Sequence, residues 1–475
     1  MIFVCMCWYI IACHGSRSQA KCHLVASDHR MRRNIVALLL AAGLADGSQL
    51  QTAFQSLVDG LSQKYGYAMQ IAWRSDIEDF TVAAGHHAIT GKAVTAEDTF
   101  AFGSGTKPYT AVLLLKLASE GKIELDRPAS EYVDGILKRM NGTSMVGLFG
   151  ADAAKVTVGH LLRMQSGLAD FDVSGFDDAL LKQGGSVHSP LEFLHAAAKQ
   201  SPVFLCNPGQ CTSYTSHLTE TVLTYAEPQR FDHVRSVVPG EWFLRPTIAG
   251  TNYVLAGFVA LGAVAPTSDW TSLDQAQIFP QPASAKYQKC TFADTGSLNK
   301  TLDIPGAAGS FLRRTQIYGQ DASILGWTCG NLIAPAGSAA EFFYDLLIAK
   351  RIVPSEMVAK MQEFAPLNVG WAKGMIQYGT GLMIQQASWN ATYPPVMGSW
   401  GSYVGHGGDT YGFLSESGVL SQFNASFSAT ANEEYLGPFV KNVMVCTMIR
   451  VAAKVLLDQD VFLKCGVRPF PQIVV

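Results

Sequence analysis

The stretch Tyr109–Glu120 constrains this chain more than any other. It carries Val112, Leu113, Leu114, Leu115 and Leu117, and Lys116 is the only charge before its last residue. Wound as a helix, such a segment has almost no polar face and must be buried in a large core. Gly121 ends it, and Asp126-Arg127-Pro128 turns the chain away. The chain can supply that core: it has 475 residues, 48% of them hydrophobic and 15% charged. This is enough for one large domain or two ordinary ones, and the balance excludes disorder and a coiled coil. A net charge of −3 offers no basic face, so no nucleic-acid partner is expected.

Around the apolar helix the pattern mixes strands and helices. Ala68–Trp73 and Phe80–Ala84 read as strands across a polar turn. Thr157–Met164, Ala339–Ile348 and Pro354–Phe364 read as helices, and Tyr435–Leu457 as a long apolar helix with Lys441, Arg450 and Lys454 on its wet face. Strands, many helices, strands and a last helix make an α+β chain, not a doubly wound one.

Residues 1–45 read as a leader. Met31-Arg32-Arg33-Asn34, the apolar Ile35–Ala45 and its small residues have a signal-peptide layout, with Met31 as the expected true start. Secretion is therefore expected, and no stable membrane span. Four sequons, at Asn141, Asn299, Asn390 and Asn424, agree with that route and with a glycoprotein. Beyond the leader stand Cys206, Cys211, Cys290, Cys329, Cys446 and Cys465. Six cysteines pair in fifteen ways. Cys206 and Cys211 can close a small loop, and their spacing lacks the second pair that a zinc site needs.

The search for a nucleophile turns on Ser-x-x-Lys, which places a hydroxyl and an amine on one helical face. The chain has four: Ser18–Lys21, Ser104–Lys107, Ser119–Lys122 and Ser297–Lys300. Only Ser104–Lys107 opens the buried helix, where low dielectric favours a neutral lysine able to take the serine proton. The helix N-terminus also points free N–H groups at a developing oxyanion.

Several segments carry a resemblance. Phe102-Gly103-Ser104-Gly105-Thr106-Lys107, then Gly121-Lys122-Ile123-Glu124-Leu125-Asp126, then Val158-Gly159-His160-Leu161-Leu162, resemble the serine β-lactamase-related family of class C β-lactamases, D-alanyl-D-alanine carboxypeptidases and related esterases. Tyr214-Thr215-Ser216 is similar to its Tyr-x-Asn/Ser element, and His406-Gly407-Gly408 to its His-x-Gly element. Gly326–Leu332 and Gln377–Leu382 fit as well. The resemblance spans roughly 54–457 and implies an antiparallel sheet flanked by helices, with a helical subdomain closing the cleft. Residues 217–250 read as an insertion, and 458–475 as a C-terminal tail.

The resemblance implies roles. Ser104 is the nucleophile, Lys107 and Tyr214 share the base role, and Ser216, His406 and Gly408 line the substrate. The backbone N–H groups of Ser104 and Asp409 hold the oxyanion. His160 is structural. No metal or organic cofactor is needed, and the partner is a small-molecule or short-peptide acyl substrate. His406 stands where true β-lactamases have lysine, Ser216 replaces the usual Asn, and no Lys or Arg lies between Trp400 and Asn432. A partly charged His406 would hold a substrate carboxylate weakly, so a peptidase- or esterase-like hydrolase is expected. The alternative is a non-catalytic scaffold or peptide-binding protein that retains the fold.

Overall fold

The computed structural model describes residues 12–14, 21–23, 48–87, 90–211, 250–303, 307–310, 313–367, 376–432 and 440–466, the two short strands within 307–316 as backbone only. Of the leader, only Ala12–His14 paired with Lys21–His23 is among them, so Met31 and the apolar Ile35–Ala45 lie outside. Tyr214, Ser216 and the expected insertion up to residue 249 lie outside too.

An eight-stranded antiparallel sheet is the frame. Its strands are β1 (Met69–Arg74), β2 (Asp79–Ala84), β3 (Ala365–Pro366), β4 (Gln377–Tyr378), β5 (Met383–Gln386), β6 (Ser402–Thr410), β7 (Phe413–Leu420) and β8 (Ala425–Ala431). Their spatial order is β3-β4-β5-β6-β7-β8-β1-β2. The first hairpin therefore joins the edge of the last, pairing Phe427 with Trp73 and Ala429 with Ile71.

One sheet face is covered by the two ends of the packed chain. Helix α1 (Gln49–Tyr65) buries Leu50, Phe54 and Val58 at i, i+4 spacing. Ser48 accepts from Gln51 N–H at its start, and Gly66 closes it in the left-handed region. Helix α6 (Cys446–Leu457) buries Met448, Ile449 and Ala452 in the same core as Trp73 and Phe427. A disulfide from Cys446 to Cys465 holds the segment after it, where Leu463 is buried. The packed unit thus begins before residue 54 and continues past 457. Residue 54 itself is a core phenylalanine of α1, and residues up to 466 are tied back through Lys464 N–H to Asn390.

The other face carries the helical side. Helix α2 (Lys107–Ser119) is the apolar segment singled out in the sequence; Leu113, Leu114, Leu115 and Leu117 are at most 1% exposed. Each such leucine contributes about 1.5–3 kcal/mol of burial. Lys116 escapes by reaching the Gln277 carbonyl, 2.6 Å away. Helices α3 (Ser130–Asn141), α4 (Gly250–Val264) and α5 (Ala336–Phe343) complete this layer. Residue 250, the last of the expected insertion, is the first residue of α4. Asp170 caps that helix, accepting from Gly250 and Thr251 N–H at 3.0–3.2 Å. The Cys206–Cys211 loop closes by a disulfide, while Cys290 and Cys329 remain free.

Candidate active site

The chain enters α2 through a tight turn, Gly103–Thr106, which follows the short strand Phe100–Ala101. That strand pairs with Leu332–Ala334. Leu332 N–H donates to Thr106 Oγ1 and Phe102 N–H to the Leu332 carbonyl, fixing the turn from one side. From the other side comes β6. Ser415 on β7 and the Gly105 N–H both donate to the Phe102 carbonyl, at 2.8 and 2.9 Å.

Two glycines permit this approach. Gly103 has φ +50°, and a Cβ there would stand 2.5 Å from the Asp409 carbonyl. A Cβ on Gly408 would meet the Phe102 carbonyl at 1.8 Å and Gly105 N at 2.7 Å. The His-x-Gly strand therefore lies directly against the Ser104 turn. Ser104 and Gly408 are partly exposed and Asp409 is exposed, so the junction opens to solvent.

Ser104 Oγ is hydrogen-bonded to Lys107 Nζ. Lys107 is 2% exposed and its nitrogen also reaches the Cys329 carbonyl at 3.4 Å. Burial pushes the Lys107 ammonium below its ordinary value; nearby Cys329, Asp170 and Asp172 pull the other way and do not overcome it. The Cys329 thiol is itself pushed up to about 12 by burial, so it stays protonated beside the lysine. Asp172 reaches water at its surface, while the protein packed around it and the nearby Asp170 push its carboxyl up; its exposure limits that rise.

His406 stands on the same strand face as Gly408 but in the back wall of the site. It is 2% exposed. Its Nε2 lies 3.1 Å from the Tyr378 phenol and its Nδ1 lies 2.6 Å from the Gly407 carbonyl. These two contacts turn its ring nitrogens to protein partners. The Tyr253 ring sits behind Lys107, its centroid 5.9 Å from Nζ, and its phenol donates to the Leu162 carbonyl. His160 closes a capping box with Thr157 at the start of Val158–Leu162.

Of the residues named from sequence, Ser104, Lys107, His406, Gly408 and Asp409 come together, and Tyr214 and Ser216 lie outside the described residues. Sequence reasoning assigned no role to Tyr253, Tyr378 or Cys329, although Tyr378 and Cys329 lie in segments that carry the family resemblance. Among the described residues no group of three His, Cys, Asp or Glu side chains could hold a metal ion. No described helix is long and apolar enough to cross a membrane.

Comparison with known proteins follows the same lines. Penicillin-binding protein 4 of Amycolatopsis lactamdurans is 31% identical over 121 residues, a stretch that spans 25% of this chain and 29% of that protein. Two solved structures share the fold over nearly their whole length. The D-amino acid amidase of Ochrobactrum anthropi SV3, complexed with D-phenylalanine, gives a TM-score of 0.60 at 16% identity, covering 87% of this chain and all of that one. A D-stereospecific amidohydrolase from Streptomyces sp. gives 0.57 at 21%, covering 81% and 94%. The octameric penicillin-binding protein homologue from Pyrococcus abyssi gives 0.56 at 19%, covering 87% and 78%. The profile of the family described as Beta-lactamase matches residues 78–435, most of the chain, and the protein belongs to that family.

Proposed function

We propose that this protein is a secreted serine hydrolase that works through an acyl-enzyme on small esters or amides. The observation that carries the reading is the bond between Ser104 Oγ and a fully buried Lys107 Nζ at the solvent-open junction of α2 and β6. Ser104 Oγ attacks the substrate carbonyl carbon as its proton passes to neutral Lys107. The proton then goes to the leaving amine or alcohol, with Tyr214 as the relay. Backbone N–H groups of Ser104 and Asp409 hold the oxyanion, and Ser216 lines the pocket. Water attacks the acyl-enzyme by the same relay run in reverse and frees Ser104.

The substrate class follows from charge. No Lys or Arg lies between Trp400 and Asn432, and the two His406 nitrogens face Tyr378 and Gly407. Exposed Asp172 and Asp409 add negative charge near the junction. These features disfavour a substrate carboxylate and suit neutral esters or amides bearing a free ammonium. The amidase fold neighbours are consistent with this choice. The experiment is labelling with a fluorophosphonate probe, with turnover of p-nitrophenyl acetate, D-phenylalanine amide and a cephalosporin run in parallel. Labelling that vanishes in Ser104→Ala, with ester or amide turnover far above cephalosporin turnover, is expected. Undiminished labelling in Ser104→Ala overturns the mechanism.

A further inference from the structure

A hollow of about 510 Å³ opens on the helical side of the molecule, and none of its lining residues belongs to the Ser104 junction. The helices Ser174–Lys182 and Pro190–Ala198 form its walls. The second starts at Ser189 and Glu192, which form a capping box, and it buries Phe193 and Leu194 in the core. Its other side brings Leu191, Glu192 and His195 to the hollow, with Lys199 just past its end. Val173 and Phe176 line the hollow from the start of the first helix. Phe176 is held edge-on by Phe171 and Phe193, at centroid distances of 6.2 and 5.6 Å. Val173, Phe176 and Leu191 are half-buried, while Glu192 and Lys199 are exposed.

Asn141, the last residue of α3, stands at the rim. Gly142 ends that helix at φ +64°, in the left-handed region that glycine adopts without strain. Asn141-Gly142-Thr143 is one of the four sequons. Asn141 is exposed, and its Nδ2 donates to His195 Nε2 at 2.9 Å, so the amide reaches towards the helix that lines the hollow. A side-chain amide has two N–H hydrogens, and this bond uses one of them. Asn390 is employed differently. Its Nδ2 donates to the Phe462 carbonyl, and its Oδ1 accepts from Ser388 and from Lys464 N–H, which ties down the C-terminal segment. Asn299 and Asn424 are exposed in tight turns and do not line the hollow.

We infer that Asn141 carries an N-linked glycan and that this hollow seats its first sugars. The inference rests on the reading that the protein is secreted, and not on Ser104. The donor is a lipid-diphosphate-linked oligosaccharide. A bond forms from Asn141 Nδ2 to the anomeric carbon of the sugar. The bond from that carbon to the diphosphate oxygen breaks, the diphosphate keeps the electron pair, and the amide proton goes to solvent base. The remaining Nδ2 hydrogen keeps its bond to His195, which holds the first sugar at the edge of the hollow. An N-acetylhexosamine matches the lining. It is uncharged, and Glu192 and Lys199 offset one another in charge. Its C–H face packs on Phe176 and Leu191, and its hydroxyl and acetamide groups meet the polar rim. Glu192 accepts from His188 on one oxygen and from Ser189 N–H on the other, and each oxygen has a lone pair left for a sugar hydroxyl.

The test is expression of the full chain in a eukaryotic host, with glycopeptides mapped by mass spectrometry. Asn141 should be occupied. A seated glycan is cut by a glycosidase only in the fraction of time it lies outside the hollow, so cleavage from the native protein should be at least about threefold faster in Leu191→Ser than in wild type. Val173→Ser weakens the same wall and serves if the first variant does not fold. A bare Asn141 in a protein that carries sugar on another sequon overturns this inference alone. A chain with no sugar at all overturns the secretory reading and this inference with it. Equal cleavage rates at an occupied Asn141 in wild type and in either folded variant overturn the seat.

Discussion

The same four-residue spacing stands at both ends of α2, and only one end has the makings of a catalyst. At the start, Ser104 sits in a turn wedged between β6 and Leu332–Ala334, and Lys107 is sealed in the core. At the finish, Ser119 donates to the Lys116 carbonyl at 2.8 Å, and Lys122 pairs with Glu120 at 2.7 Å with half its side chain in water. The helix makes the two ends opposite as well. Its N-terminus is the positive end of the helix dipole and favours an oxyanion, and its C-terminus is the negative end and opposes one. Spacing supplies two side chains on one face. Burial and helix polarity turn one such pair into a nucleophile and a base.

The sharpest way to break this contrast is to remove the two serines in turn. Ser104→Ala is expected to lower ester or amide turnover by at least about a hundredfold, and Lys107→Ala by a similar factor. Because the two groups share one proton transfer, the double variant should fall far short of the product of the single losses. Ser119→Ala should leave turnover within about twofold of wild type. Initial rates on p-nitrophenyl acetate decide this. Full activity in Ser104→Ala would refute the site.

A second comparison sets the glycines at the two ends against each other. Gly408→Ala drives a Cβ into the Phe102 carbonyl and Gly105 N. The strand must move off the Ser104 turn, taking the oxyanion donors with it, at a cost of about 10²–10³ in turnover. Gly121 has φ +70° but open space around it. Gly121→Ala should cost only about 1–2 kcal/mol of stability, through backbone strain, with turnover unchanged. Equal turnover losses in the two variants would show that the packing of β6 on the turn does not matter.

Burial of Lys107 also predicts a stability effect opposite in sign to its effect on activity. Its folded value lies below the ordinary 10.5. Between those two values the unfolded chain holds a proton that the folded chain lacks, so stability rises with pH across that window. Below both values the fold must bury the charge. Lys107→Met removes that cost, so it should melt at a higher temperature near neutral pH, with a flatter dependence on pH, while losing activity. Lys122→Met should change neither. Melting curves across the neutral-to-alkaline range decide it, and a lower melting temperature for Lys107→Met at pH 7 would contradict the burial argument.

What the sequence made legible follows the same division between local pattern and long-range packing. The apolar run at Val112–Leu117 announced its own burial, because no partner had to be known for a helix without a polar face. The Ser104 turn and the His406–Asp409 strand were legible as motifs, and the structure places them in contact. The first helix of the packed unit and the segment after its last helix were harder. Leu50, Phe54 and Val58 carry a helical stripe beside the leader, and Leu463 is buried only because a disulfide and Asn390 hold its segment. The Tyr378–His406 contact was invisible for a stronger reason. Its members stand 28 residues apart on β4 and β6, and no periodicity marks a hydrogen bond between side chains of separate strands. His406 was read as a partly charged residue lining the substrate, and a motif position does not reveal which partners its ring nitrogens take.

The smallest expected effect concerns the C-terminal pair itself. Ser119 only adds a second donor to the Lys116 carbonyl, which already accepts from Glu120 N–H at 3.0 Å. Alanine also has the higher helix propensity, which offsets part of the lost bond. Lys122 and Glu120 form an exposed ion pair, a class that contributes little and is screened by salt. The double variant Ser119→Ala, Lys122→Ala should therefore unfold in urea within about 0.5 kcal/mol of wild type. Its turnover and its probe labelling at Ser104 should be unchanged. A loss of more than about fivefold in turnover would mean that the far end of α2 takes part in the reaction, and that burial and helix polarity alone do not separate the two pairs.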